Sequence, residues 1–496
     1  MADLRRSLVI NFFSSSGAAL LQFVVSVMLA RMLSPSEIGV FSMTVVFVNL
    51  AHVFRDFGVS TYLQREPNLT PDKIRSATGV VFSTSWLIAF GMFLSSAWIG
   101  RMFNEPEIVP VMRVLAIGFL LIPFGTVTNA LLTREFAADK QAIVTAVGTI
   151  SFCISCLVLA KLGFGSMSLA YANLVNIITC AIAYIPLRPK NTPWAPSFRH
   201  WRGVAHFGLG SLLSSSAVAI NNAIPDILLG KLGSARLVGL LSRANSTVTI
   251  FTYVAGSTVS YGAVSYLAQA HYNGTSLVPT LSRATILLTG IGWPALALTC
   301  LLGHDIVLGL YGAQWVECVP AILPLTLAAA VTMLFHYIPA AVTAIGRPYL
   351  SAVPVLVTLL TRIAFGVALF DGGLAGFAWA LCWATIASAP VIAMQQHRYF
   401  DFTIVSLLRA TIPSMVVTIG TGAVGVLLNL LIPDSLPSLV RLLAMLPVLA
   451  LVWYMMLRAT GSSSTCLATT RQLTPTTSGY VSAPSRCSFR LWHGAG

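Results

Sequence analysis

Long apolar runs alternate along this chain with short polar breaks, and the runs are of bilayer-crossing length. A span needs about 20 apolar residues. On that pattern, helices are expected near 8–30, 38–62, 78–100, 108–132, 141–160 and 167–187, and again near 204–230, 245–268, 284–303, 318–344, 349–370, 374–396, 403–431 and 437–458. The fold class expected is an all-α polytopic membrane protein of about fourteen transmembrane helices. Its organisation is two pseudo-symmetric six-helix lobes plus two C-terminal helices. The boundaries expected are 1–187 for the N-terminal lobe, 188–203 for a cytoplasmic linker rich in Pro, Arg and Trp, 204–396 for the C-terminal lobe and 397–460 for the extra pair. From 461 to 496 the chain is rich in Ser, Thr, Pro and Arg without apolar periodicity, so a disordered polar tail is expected there. Its composition is abrupt enough to suggest a shifted reading frame, and no function is expected of it.

One polar break recurs. Leu29, Arg31, Ser34, Gly39 and Ser42 match Leu229, Lys231, Ser234, Gly239 and Ser242 at one constant spacing, and a weaker echo pairs the approach to Pro110 with that to Pro320. Polar positions match here and not only leucines, which favours a true repeat over chance. Two similar halves around a substrate path are a transporter plan. An even number of spans per half makes the repeats parallel, with an axis along the membrane normal.

Composition sharpens this picture. The chain is 56% hydrophobic and 9% charged, with a net charge of +14. A soluble domain carries about 25% charge, so the positive balance points to loops facing anionic lipid and to a basic internal cavity, not to nucleic acid. Lys and Arg favour one set of loops by about two to one, which predicts N-in and C-in topology. Arg5 and Arg6 before an apolar run mimic a signal peptide, but no cleavage site follows and a retained first helix is expected. The cysteines lie in apolar runs, and Cys153 and Cys156 read as packing residues despite their redox spacing. No catalytic or metal-binding signature stands out, and neither cofactor nor metal is expected.

Chemistry is sought among charges inside spans, because an unpaired charge at the bilayer centre costs at least ~2.5–3.5 kcal/mol. Arg362 lies in the middle of its span and reads as a cavity cation, or else as half of an ion pair. Asp226, after Pro225 and a turn beyond Asn221 and Asn222, reads as a holder of a coupling cation (H+ or Na+), a partner of Arg362 or an interfacial acid. Gln22 and Asn222 correspond across the repeat, as residues lining a shared path would. Arg55 forms a local pair with Asp56 or, in a broken helix, stands at the inner mouth of a cavity. Arg243 serves the outer mouth or anchors by snorkelling, and the matched pair Arg31 and Lys231 faces the same alternatives. His336 reads as a packed residue or a proton relay. Several arginines and few acids around one cavity would suit an anion, and a guanidinium binds pyrophosphate through a planar fork.

These segments resemble a known family. Leu29-Ala30-Arg31-Met32-Leu33-Ser34-Pro35-Ser36-Glu37-Ile38-Gly39 resembles the hinge after the first helix of bacterial polysaccharide flippases. Phe54-Arg55-Asp56-Phe57-Gly58-Val59 with Gln64, and Phe103-Asn104-Glu105-Pro106-Glu107, are similar to later elements of that family. So are Gly312-Ala313-Gln314-Trp315 and Gly346-Arg347-Pro348, and so is Gly239-Leu240-Leu241-Ser242-Arg243-Ala244, where leucines replace the usual tyrosines. The resemblance runs from about Leu8 to Arg458. It is to the polysaccharide-transport (Wzx-type) branch of the multidrug/oligosaccharidyl-lipid/polysaccharide exporter superfamily, nearest to colanic acid or lipopolysaccharide exporters. It implies two lobes facing each other in a V. The implied activity is flipping of an undecaprenyl-pyrophosphate-linked oligosaccharide across the bacterial inner membrane, for O-antigen, capsule or exopolysaccharide, by alternating access. Ion coupling and a polysaccharide polymerase acting in the same pathway are implied more loosely. The rivals are a multidrug cation antiporter, which would need cavity acids where Arg362 stands, and a polysaccharide polymerase or ligase, which would need a large catalytic loop.

Overall fold

The computed structural model describes residues 2–66, 68–189, 192–193, 195–199, 201–260, 276–345, 347–433 and 435–460. The expected tail at 461–496, the last residues of the expected 245–268 span and Gly346 lie outside the described residues. All regular structure among the described residues is helical.

Helix α1 (Ala2–Met32) stops where Pro35 cannot extend it, and Ser34 restarts the chain as α2 (Pro35–Asp56). The restart is a capping box: Ser34 N donates to Glu37 Oε2 at 2.7 Å, and Glu37 N donates back to Ser34 Oγ at 3.3 Å. Phe57 and Gly58, both left-handed with φ of 42° and 66°, end α2 inside the expected 38–62 span, and a short α3 (Val59–Arg65) follows. Helix α4 (Pro71–Phe103) opens on a Thr70 cap. Pro123 splits the expected 108–132 span into α5 (Ile108–Leu121) and α6 (Pro123–Arg134), bent by 54°. Helices α7 (Ala138–Lys161) and α8 (Ser166–Leu187) complete the N-terminal half. Cys153 and Cys156 are buried in α7 and unbridged.

The linker is docked onto α4: Ser197 N donates to Arg75 O at 3.0 Å, and a Cβ on Gly79 would strike the Ser197 carbonyl. Helices α9 (Trp201–Leu232) and α10 (Ala235–Ser260) then repeat the α1–α2 corner. Helix α11 (Val278–Leu301) leads through a π turn at Val307–Tyr311 and a 3-10 turn at Ala313–Cys318 into α12 (Val319–Leu334) and α13 (Ile338–Ala344). Helices α14 (Ala352–Ala368), α15 (Leu374–Phe400), α16 (Ile404–Leu431) and α17 (Ser438–Ala459) close the described chain. By length and composition, ten of these helical stretches can cross a membrane, or eleven with the bent α5–α6 pair counted as one span. The chain is a multi-pass membrane protein.

Between helices in lipid the hydrophobic effect contributes little, so close approach through small residues has to hold them. The two halves meet in this way along α2 and α10. A Cβ on Gly39 would overlap the Ala235 carbonyl, and a Cβ on Gly239 would overlap the Pro35 carbonyl. Each hypothetical Cβ would also lie 3.0 Å from the other glycine's nitrogen. The contact is therefore self-complementary across the repeat, as at a two-fold interface. The flanking cations copy it. Arg31 Nε donates to Leu310 O at 3.0 Å with a further bond to Gly309 O, and Lys231 Nζ donates to Met102 O at 2.8 Å. Each cation ends the first helix of its half and bonds carbonyls of the opposite half. One apolar core runs through both halves, with Phe119, Trp315 and Phe377 among its fully buried side chains.

Candidate functional site

Pro225 sits inside α9 and has no N–H to give the carbonyl one turn back, that of Asn221. Arg362 of α14 takes that carbonyl instead, its NH1 donating to Asn221 O at 2.8 Å, while Nε is buried without a partner. The guanidinium is thereby fixed on the wall of a cavity of about 820 Å3 within the C-terminal half. Asn222 and Asp226 of α9 line the same cavity. The Asp226 carboxylate makes no hydrogen bond or ion pair among the described residues, so it and Arg362 share the space without being joined.

Other walls add neutral polar groups. On α10, Ser242, Asn245, Ser246 and Thr249 follow the i, i+3, i+4, i+7 spacing of one helix face, and all four line the cavity. Thr332 and His336 come from the end of α12, and Thr385 from α15. His336 meets the Tyr337 ring edge-on at 5.0 Å. A second cavity of about 620 Å3 lies between α2 (Val46, Asn49, Val53) and α9, and Asn222 and Asp226 border this one too. These two residues stand where a space between the halves meets a space inside one half.

The remaining expected site residues lie elsewhere. Arg243 is 7% exposed, donates NH1 to Ser26 Oγ at 2.6 Å and stands over the Tyr311 and Trp315 rings at 5.4 and 5.3 Å. It ties α10 to α1 between the halves and lines neither cavity. Arg31 is committed to the Gly309 and Leu310 carbonyls. Arg55 ends α2 just before the Phe57–Gly58 break and donates to Thr126 Oγ1 at 2.9 Å, below the α5–α6 bend. Its neighbour Asp56 accepts from Ser60 Oγ at 2.6 Å, so no Arg55–Asp56 ion pair forms. Gln22 is exposed and lines neither cavity, although Asn222, its repeat partner, lines both. The structure thus brings together Arg362, Asp226 and Asn222, and the expected ring of several arginines around one cavity is not formed. Inter-half packing claims two of those arginines and a hydroxyl on α6 a third. The α10 stripe was missed at the sequence level, though its spacing is visible there.

Residues 28–320 match the family model described as "Polysaccharide biosynthesis protein". The succinoglycan biosynthesis transport protein ExoT of Rhizobium meliloti (strain 1021) is 23% identical over 319 residues, which is 63% of this chain and 63% of that protein. The chain therefore aligns with less than two thirds of that curated relative. The teichuronic acid biosynthesis protein TuaB of Bacillus subtilis (strain 168) is 21% identical over 404 residues, 77% of this chain and 81% of that one. Among solved structures, the lipid II flippase MurJ in an inward closed conformation superposes with a TM-score of 0.71 at 13% identity, covering 91% of this chain and 99% of that chain. That likeness establishes the fold. The family match extends over more than half of the sequence and includes both copies of the repeated hinge, and the chain belongs to the Polysaccharide biosynthesis protein family.

Proposed function

We propose that this protein is a flippase that carries an undecaprenyl-pyrophosphate-linked oligosaccharide across a bacterial inner membrane for polysaccharide biosynthesis. The observation that carries this reading is the pair of cavities, each with polar side chains in its wall, meeting at Asn222 and Asp226 within an apolar helical bundle. Polar groups placed there give a sugar headgroup a route past the hydrocarbon, with the polyprenyl chain left in lipid. Relatives named for succinoglycan transport and teichuronic acid biosynthesis, and a fold shared with a lipid II flippase, support it.

In the mechanism, N-in and C-in topology places the Gly39–Gly239 crossing on the periplasmic side. The lobes 1–187 and 204–396, joined by the linker 188–203, rock about that crossing, while the helices of 397–460 flank the C-terminal lobe. The headgroup enters from the cytoplasm and meets Arg362. The Arg31 and Lys231 bonds then break as the hinge end parts. To drive the change, some ligand has to bind the two states unequally. Asp226, a carboxylate without a cationic partner, is the candidate holder of a coupling H+ or Na+. A polymerase of the same pathway would take the delivered units.

The test is leaflet-resolved detection of lipid-linked glycan in a deletion strain with and without this gene. Glycan held on the cytoplasmic leaflet and released by the gene supports the flippase. Unpolymerised units already on the periplasmic leaflet would overturn it in favour of a polymerase or ligase.

A further inference from the structure

The cavity in the C-terminal half is lined by groups poorly matched to a pyrophosphate. Arg362 is the one guanidinium among the described lining residues, with one arm spent on Asn221 O, and Asp226 faces the same space and offsets its charge. A pyrophosphate there would meet a carboxylate and one half-committed cation, at a depth where uncompensated charge is costly.

The hydroxyls say more. Ser246 Oγ donates to Ser242 O at 2.8 Å, Thr249 Oγ1 to Asn245 O at 2.7 Å, Thr332 Oγ1 to Ala328 O at 2.8 Å and Thr385 Oγ1 to Leu381 O at 2.9 Å. A hydroxyl has one proton, and in each of these it is turned back onto the residue's own helix. At Ser246, Thr332 and Thr385 this leaves the cavity oxygen lone pairs, which are acceptors. Phosphate oxygens also only accept and gain nothing from such a wall. Sugar hydroxyls donate as well as accept, and the Asn222 and Asn245 amides lie within the same cavity to serve their oxygens. The volume of about 820 Å3 is far too large for a lone ion and falls in the ~300–1,000 Å3 range of small-molecule sites.

The repeat isolates this feature. Where α10 carries Ser242, Asn245, Ser246 and Thr249, the matching face of α2 reads Ser42, Val45, Val46 and Asn49. The hinge is kept in both copies, yet the full polar stripe is found only in the second.

We infer that the C-terminal-half cavity is a saccharide subsite, which takes neutral sugar rings of the lipid-linked glycan through the acceptor wall of Ser246, Thr332 and Thr385. Arg362 is then left to meet at most one acidic substituent, and the pyrophosphate stays outside this cavity. The inference rests on the flippase reading and adds to it where the sugars lie.

The test uses full-length protein in lipid nanodiscs with A328C or A329C, at small lining positions that take no part in the acceptor wall. Thiol labelling at the new cysteine, quantified by peptide mass spectrometry, is followed with two probes: sugar-free undecaprenyl pyrophosphate, and the glycan-bearing lipid extracted from the deletion strain. The expected result is protection by the glycan-bearing lipid alone, about tenfold when it is present near nine times its dissociation constant. Equal protection by the sugar-free lipid would overturn the subsite and make the cavity a pyrophosphate site. So would absence of protection in both variants. Neither outcome disturbs the flippase reading, which fails separately if the deletion strain holds no glycan on the cytoplasmic leaflet.

Discussion

The Gly39–Gly239 crossing predicts a specific response to a single methyl group. In Gly39→Ala the new Cβ would overlap the Ala235 carbonyl, which is backbone at the start of α10 and has no side-chain freedom with which to move aside. Helices α2 and α10 have to separate at this end. Overpacking of this kind costs about 1–3 kcal/mol. At about 1.4 kcal/mol per factor of ten, that shifts the ratio of closed to parted hinge by roughly 5- to 140-fold. Because Gly239 faces the Pro35 carbonyl in the same manner, Gly239→Ala should give a shift of similar size. Spin labels on the exposed positions Arg101 and Glu317, one in each half at this end, would report it as a longer distance population in double electron–electron resonance. On the flippase reading export should slow in parallel, because the closed hinge would be one state of the transport cycle. If both variants fold and both leave the distance distribution and export unchanged, the crossing is not a gate and the rocking mechanism loses its pivot.

Three further outcomes follow from the same contacts. Arg31→Ala and Lys231→Ala each remove charge-assisted bonds across the hinge, worth about 0.5–1.5 kcal/mol per bond at a partly exposed site; each should part the hinge by a few-fold in the same resonance measurement, and the double variant should be roughly additive. Arg362→Ala strands the Asn221 carbonyl at a cost of about 1–3 kcal/mol, visible as a lower melting temperature. In a Pro225→Ala background that stability cost should shrink, because the helix regains its own N–H, whereas any loss of export through lost substrate contact should persist. Asp226→Asn keeps the shape and removes the charge, so transport in vesicles should lose its dependence on an imposed proton or sodium gradient; a dependence that survives would exclude Asp226 as the coupling group.

The hinge was legible in sequence because its information is carried by polar residues and proline, which apolar drift does not produce. Ser34 and Ser234 are matched there, and both cap helices in the structure, through Glu37 N and Leu237 N. The break at Phe57–Gly58 is expected only as one of two alternatives at Arg55, and the break at Pro123 is not expected at all. Phe57–Gly58 and Pro123 interrupt runs that stay apolar on both sides, and hydropathy measures depth without direction. The same limit explains the arginines. Position along a run put Arg362 within a helix and Arg243 at the opening of one, whereas α10 already begins at Ala235 and carries Arg243 inside it; nor does position say which way a helix turns such a residue. Arg243 enters the Tyr311–Trp315 aromatic pair, while Arg362 is drawn to a carbonyl that Pro225 leaves open. That second cause was present in the sequence, four spans away from its effect.

The two halves share one hinge pattern and differ in the residues around it. In the first half Ser26 accepts the Arg243 guanidinium, so that polar position is consumed in joining the halves. Its repeat partner is Asp226, and the residue matched to Arg243 is Met43. Had the arginine been kept in both copies, Asp226 would face a cation across the interface as Ser26 does, and a buried ion pair would fill the place. Met43 instead packs in the core near Gly230 and leaves the carboxylate unpaired between two cavities. A single departure from the repeat therefore leaves Asp226 open to both cavities. On this logic Met43→Arg, with its guanidinium placed beside Asp226, should stabilise the joined halves and stop transport. If Met43→Arg exported at the wild-type rate, Asp226 would not need to be free.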